Sequence, residues 1–226
     1  MIKSWKLFNC YILVTAFNQS IFDASKVFHG GRRSRPGAGA HGLHHPVRAA
    51  GANGDLVETH SALADALRRD ERFAEAIPVY DAAIALVPEP VQRHWTLFYS
   101  RGISHERSGQ WPEAEADFRR ALELNPDQPQ VLNYLGYSFV DRGENLEEAL
   151  GMIERAVARE PGSGYIIDSL AWAYFRLGRY EDAVEPMERA SLLEPVDPIV
   201  TDHLGDVYWA VGRKLEARFQ WHRALS

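Results

Sequence analysis

The chain has 226 residues, 46% of them apolar and 25% charged, with a formal net charge of −6 and one cysteine, Cys10. A lone cysteine excludes an internal disulfide and any CxxC metal or redox motif, and the excess of acid excludes the broad cationic face that nonspecific nucleic-acid binding needs. The charge is unevenly divided: residues 1–54 hold seven Lys or Arg and the single acid Asp23, whereas residues 55–226 hold 18 Lys or Arg and 30 Asp or Glu.

In chain order, residues 1–28 place Lys3 and Lys6 ahead of an apolar run from Leu7 to Phe17. The layout is that of a weak signal-like or amphipathic leader. The run is interrupted by Asn9 and is too short to span a bilayer, which needs about 20 apolar residues. Phe8 and Asn9 also argue against lipidation of Cys10, and both a cytoplasmic and an exported location fit. Residues 29–54 combine Gly, Ala, Arg and His without an acid, so no periodic apolar face can form and the segment reads as a disordered linker. His41, His44 and His45 within it have no Cys, Asp or Glu beside them and are not read as metal ligands.

From Asp55 onward the pattern is helical, and from Pro129 it repeats. "LNYLGYSFVDRG" from Leu132, "IDSLAWAYFRLG" from Ile167 and "TDHLGDVYWAVG" from Thr201 are each followed by a second helical stretch with paired alanines: Ala149 and Ala156, Ala183 and Ala190, Ala217 and Ala224. Units starting at Pro129, Gly164 and Pro198 have a period of 35 and then 34 residues. Self-similarity at that period predicts a solenoid of stacked helix pairs. The pattern carries upstream through Ala64, Ala76, Tyr80 and Ala83, then through Gly102, Gly109, Ala114, Phe118 and Ala121. Arg101 and His105 stand where this second copy should be apolar.

Leu135-Gly136-x-x-Phe139, Leu170-Ala171-x-x-Tyr174 and Leu204-Gly205-x-x-Tyr208, with the alanine pairs and the prolines Pro161 and Pro195, resemble the tetratricopeptide repeat. The resemblance covers roughly residues 57 to 226, and the last three units are similar to C-terminal repeats of larger bacterial proteins of this family. It implies an all-α, right-handed superhelical solenoid of about five helix-turn-helix repeats, at about 57–90, 95–128, 129–163, 164–197 and 198–226, within a domain from 55 to 226. The spacing supplies its own physical reasons. A small residue at Ala64, Gly102, Gly136, Ala171 and Gly205 lets the first helix of a unit (A) approach the second (B). Gly143, Gly178 and Gly212 supply the left-handed residue that ends helix A, and Asp197-Pro198 is an N-cap followed by proline at the first helical position.

In such a family the A helices line a groove, and the resemblance implies a noncatalytic scaffold that binds protein or peptide there, in an assembly or adaptor role. The groove positions select Tyr137, Tyr165, Trp172, Phe175 and Trp209 with Asp168, Asp202 and Asp206, and beside them Val140, Asn133, Asp65 and Ser61. Aromatic anchors edged by aspartates suit a partner carrying apolar and basic side chains. Packing of the rings against neighbouring A helices is the competing reading. The family's cationic clamp for a C-terminal carboxylate does not carry over, because aspartates stand where it would need cations. No nucleophile elbow, phosphate loop or HExxH site appears, so no catalytic residue, cofactor or metal is expected. His94 and His105 lie too far apart to share an ion and read as surface residues. The alternative function is self-association through the C-terminal helix, which no polar capping helix follows and whose apolar face, carrying Phe219 and Trp221, is expected to be open.

Overall fold

The structure, a computed structural model, describes residues 46–225, with side chains from Gly54 onward. Within them the chain forms five helix pairs: α1 (Pro46–Arg69) with α2 (Phe73–Ala85), α3 (Trp95–Arg107) with α4 (Trp111–Leu124), α5 (Pro129–Arg142) with α6 (Leu146–Arg159), α7 (Gly164–Arg176) with α8 (Tyr180–Leu193), and α9 (Pro198–Ala210) with α10 (Lys214–Ala224). Odd-numbered helices are the A helices and even-numbered the B helices. Each B helix packs on its own A helix, α3, α7 and α9 also meet the A helix before them, and α5 meets α3 through the Tyr134 and Tyr99 rings.

The end signals act as their chemistry dictates. Asp197 caps α9, its carboxylate accepting the N–H of Ile199 at 2.8 Å and of Val200 at 3.0 Å. Gly109, Gly143, Gly178 and Gly212 all take left-handed backbone, φ between 71° and 83°, where each A helix turns into its B helix. In the first pair the same position is Glu71, at φ 61°, a conformation that a side chain makes unfavourable. Glu71→Gly is therefore expected to raise stability by about 0.5–1 kcal/mol, read as a higher midpoint in urea. An unchanged or lower midpoint would mean that the turn carries no strain.

Small residues sit where the helices cross. A Cβ on Gly136 would lie 2.8 Å from Ile153 Cγ1, and one on Gly102 would lie 2.8 Å from the Phe118 ring. Ala64 and Ala171 at the equivalent places are fully buried. Around them a continuous core runs through α5, where Val131, Leu132, Leu135, Phe139 and Val140 are all inaccessible to solvent. On the B side the repeats are stapled by arginine. Arg155 donates to the carbonyl of Pro126 at 2.7 Å, Arg189 to that of Pro161, and Arg223 to that of Pro195 at 2.9 Å. In each case a guanidinium satisfies a carbonyl just beyond the end of the preceding B helix.

Two expectations are corrected, for residues 46–54 and for His105. The first helix begins at Pro46, so residues 46–54 of the expected linker are helical. Proline suits a first helical position, Ala49, Ala50 and Ala52 are strong helix formers, and extending a helix already anchored downstream avoids a second nucleation. The polar residues of the second repeat are absorbed by pairing. Arg101 donates to Asp117 at 2.6 and 2.7 Å and to Asp81 at 2.7 Å, bridging α2, α3 and α4. His105 is largely covered rather than at the surface, its Nδ1 2.6 Å from Gln110 Oε1. The leader and His41, His44 and His45 lie outside the described residues.

Candidate functional site

The A-helix side of the last three pairs is where the predicted groove residues fall, and the structure divides them. Tyr137 is 5% exposed and Asp168 only 1%, so neither is a groove surface; Val140 is fully buried and Asn133 nearly so. The reason lies in the neighbouring A helix. Asp168 on α7 faces His203 on α9, with His203 Nδ1 3.0 and 3.1 Å from the two carboxylate oxygens, and His203 is itself 3% exposed. Trp172 lies flat on the His203 ring, centroids 4.1 Å apart and planes 11° apart, and Phe175 lies flat on Trp172 at 4.8 Å and 7°. Both flanking rings are half-buried. An indole face stacks favourably on an imidazole ring, and more strongly when that ring is protonated and out of water.

Burial alone would lower the pKa of His203. Asp168 in hydrogen-bonding contact, with Asp202 and Asp206 close by, outweighs burial and raises it above the ordinary imidazole value. Asp202 is half-buried and its carboxyl is pushed up by desolvation. Asp206 is pushed up by desolvation and by the charge of Asp202, while Trp221 Nε1 donates to its Oδ1 at 3.1 Å. Neither carboxylate is paired with Arg or Lys among the described residues. Beside them Trp209 is 42% exposed, its ring 5.5 Å from that of Trp221. Tyr165, half-buried on α7, has its phenol pushed up to about 12 by burial and by nearby Glu194. In the first repeat Asp65 is already engaged, accepting from the Tyr80 hydroxyl at 2.6 Å, and Ser61 is half-buried.

What remains accessible is thus Trp209, Asp202 and Asp206, with parts of Phe175, Trp172 and Tyr165. His203 was not among the sequence candidates, although a signal existed. Asp168 occupies the fifth position of its A helix and His203 the sixth position of the next, where the second and third repeats carry Tyr99 and Tyr134. Those two rings also meet, edge to face at 6.0 Å.

The last helix differs from expectation as well. In α6 and α8 the stripe equivalent in position is Leu146, Leu150, Glu154 and Val157, then Tyr180, Val184, Glu188 and Ser191, and its middle residues meet the following A helix. Leu150 and Val184 join the core. Glu154 accepts from the Tyr174 hydroxyl at 3.3 Å, and Glu188 from the Tyr208 hydroxyl at 2.9 Å and Arg213 at 2.7 Å. In α10 the same stripe is Lys214, Arg218, His222 and Leu225. Trp221, expected in the open, is half-buried against Gly205, and Phe219, at 63% exposure, lies to one side of the stripe.

A family model described as tetratricopeptide repeat matches residues 99–164 and 169–225, and a second of the same description matches residues 59–92. The chain belongs to the tetratricopeptide repeat family. It is 32% identical over 126 residues to the TPR repeat-containing protein PA4667 of Pseudomonas aeruginosa, covering 56% of this chain and 21% of that one. It is 35% identical over 86 residues to the photosystem I assembly protein Ycf3 of Cyanophora paradoxa, covering 38% and 49%. The chain thus spans at most about half the length of these relatives. Among solved structures, residues 41 to the end of MamA from Desulfovibrio magneticus RS-1 superpose with a TM-score of 0.66 at 19% identity, covering 76% of this chain and 94% of that one. Pseudomonas aeruginosa PilF gives 0.66 at 16% identity, covering 77% of each. These likenesses show the fold.

Proposed function

We propose that the chain is a noncatalytic scaffold whose A-helix groove, over the last two repeats, holds a partner segment bearing apolar and basic side chains. The observation that carries this reading is Trp209, a large ring left 42% exposed next to Asp202 and Asp206, two carboxylates held partly out of water without an Arg or Lys. A basic side chain of the partner would relieve their repulsion, and an apolar one would cover the indole at little rotamer cost. The name of the relative Ycf3, a photosystem I assembly protein, supports an assembly or adaptor role, since stacked repeats offer an extended surface to a client.

The test is a random peptide array followed by titration calorimetry of the peptides it selects. Basic, aromatic-containing sequences are expected. Trp209→Ala should weaken them by about 2 kcal/mol, roughly thirty-fold, with helical content intact. Asp202→Asn with Asp206→Asn should chiefly slow association and flatten its salt dependence. Selection of acidic peptides, or unchanged affinity in a folded Trp209→Ala protein, would move the binding surface elsewhere.

A further inference from the structure

We infer that the outward face of α10, apart from the groove, is a docking surface for an acidic amphipathic helix of a protein partner. Lys214, Arg218, His222 and Leu225 follow one another at helical spacing and form a stripe along the helix, with Leu215 and Phe219 one step round beside it. Leu215 is 82% exposed and Phe219 63%. Between them Arg218, Phe219, His222 and Arg223 line a recess of about 450 Å³. The surface is therefore cationic along one edge and apolar along the other, on a domain that is otherwise strongly acidic.

Arg223 is held by the Pro195 carbonyl, but Lys214 and Arg218 have no carboxylate partner among the described residues. Among the described side chains Arg218 is the one arginine with no hydrogen-bond, carboxylate or ring partner. Lys214 meets only the Trp209 ring, its Nζ 5.2 Å from the centroid. Arginine elsewhere on the B helices is occupied: Arg119 by Glu115 and Glu148, Arg155 and Arg159 by Asp127. The geometry of the stripe is that of a helix seat, because its equivalents in α6 and α8 each receive a helix. Its chemistry is changed from apolar and acidic to basic, so a matching helix must carry carboxylates at successive turns with apolar residues alongside.

A second copy of the chain is a poor fit for the same seat. Stacked in the register used between the fourth and fifth repeats, where Val184 packs with Leu204 and Tyr208, it would bring Leu63 and Leu67 of α1 against Arg218. Burying a guanidinium against leucine without an acceptor is costly.

The experiment is fluorescence anisotropy of the full chain with a labelled, designed helix that has Glu at every fourth position and Leu on the adjoining stripe. A Gln-for-Glu version of the same helix is the control. The Glu helix is expected to bind saturably, more weakly as salt rises, and at least about tenfold more tightly than the Gln helix. Arg218→Glu, an exposed substitution that should leave the circular dichroism unchanged, is expected to weaken it about tenfold or more, and Phe219→Ser to weaken it independently. Trp209→Ala, which removes the groove's anchor ring and only the Lys214 contact with it, should weaken it far less than Arg218→Glu, which keeps this seat distinct from the groove. The inference is overturned if the Glu helix does not bind, if the Gln helix binds equally, or if Arg218→Glu changes nothing. It is equally overturned if light scattering shows concentration-dependent association abolished by Phe219→Ser, since the occupant would then be a second copy.

Discussion

Replacing Asp168 with alanine is expected to cost about 3–5 kcal/mol of folding stability, because it leaves His203 buried without its counter-charge. The pair is 1% and 3% exposed and holds the fourth repeat to the fifth, so the lost carboxylate is not replaced by bulk solvent. Urea denaturation near pH 6 measures the loss. Its pH dependence follows from the direction of the shifts. The pKa of His203 is raised in the fold, so the stability it contributes is fully present below its ordinary value near 6.5 and is lost as pH rises through the higher folded value. Asp202 and Asp206 are also raised; their contribution is present below the ordinary carboxylate range and is likewise lost as pH rises. The parent should therefore lose stability on going from pH 6 to the alkaline side, and the gap between parent and Asp168→Ala should narrow. A variant that melts with the parent at pH 6 would show that the imidazole is neutral and the contact only a packing contact. Replacing both Asp168 and His203 with leucine should recover much of the loss, since a well-packed apolar pair needs no counter-charge.

Gly136→Leu is expected to cost about 3 kcal/mol, at the upper end of the range for overpacking. A Cβ here would lie 2.8 Å from Ile153 Cγ1 and 3.0 Å from the Ala149 carbonyl oxygen. The side chain can turn aside, but the carbonyl belongs to the backbone of α6 and cannot, so the two helices of the third repeat must separate. Because the repeats are stabilised by nearest-neighbour interfaces, damage in the middle of the array should divide the melt into two transitions. A single transition at the parent's temperature would show that the close approach of α5 and α6 is not needed.

The features legible in the sequence are those written once per repeat. The small residue at the crossing, the left-handed glycine and the alanine pair each solve the same local problem in several copies, and repetition makes the pattern visible against the rest. The groove was only partly legible, because which side of an A helix faces solvent depends on the residue opposite it in the next repeat. Asp168 reads as a steering charge until His203 is placed against it, and Tyr137 reads as an anchor although the packing around it closes over the ring. Trp209 keeps its exposure even though its ring lies 5.5 Å from that of Trp221. The start of α1 was missed because its alanines carry no apolar period. The basic stripe of α10 was missed because Lys214, Arg218 and His222 look like ordinary surface residues until superposed on Tyr180, Val184 and Glu188.

The arginine staples set how the array can deform. Arg155, Arg189 and Arg223 fasten each of the last three B helices to the turn behind it by the same bond. The A helices are joined by contacts that change along the array, from two crossed rings at Tyr99 and Tyr134 to a charged pair at Asp168 and His203. One edge is thus a uniform spine and the other a row of individually tuned clasps. Loosening a clasp is therefore expected to open that joint about the spine like the page of a bound book, changing the curvature of the groove there while the neighbouring joints keep theirs.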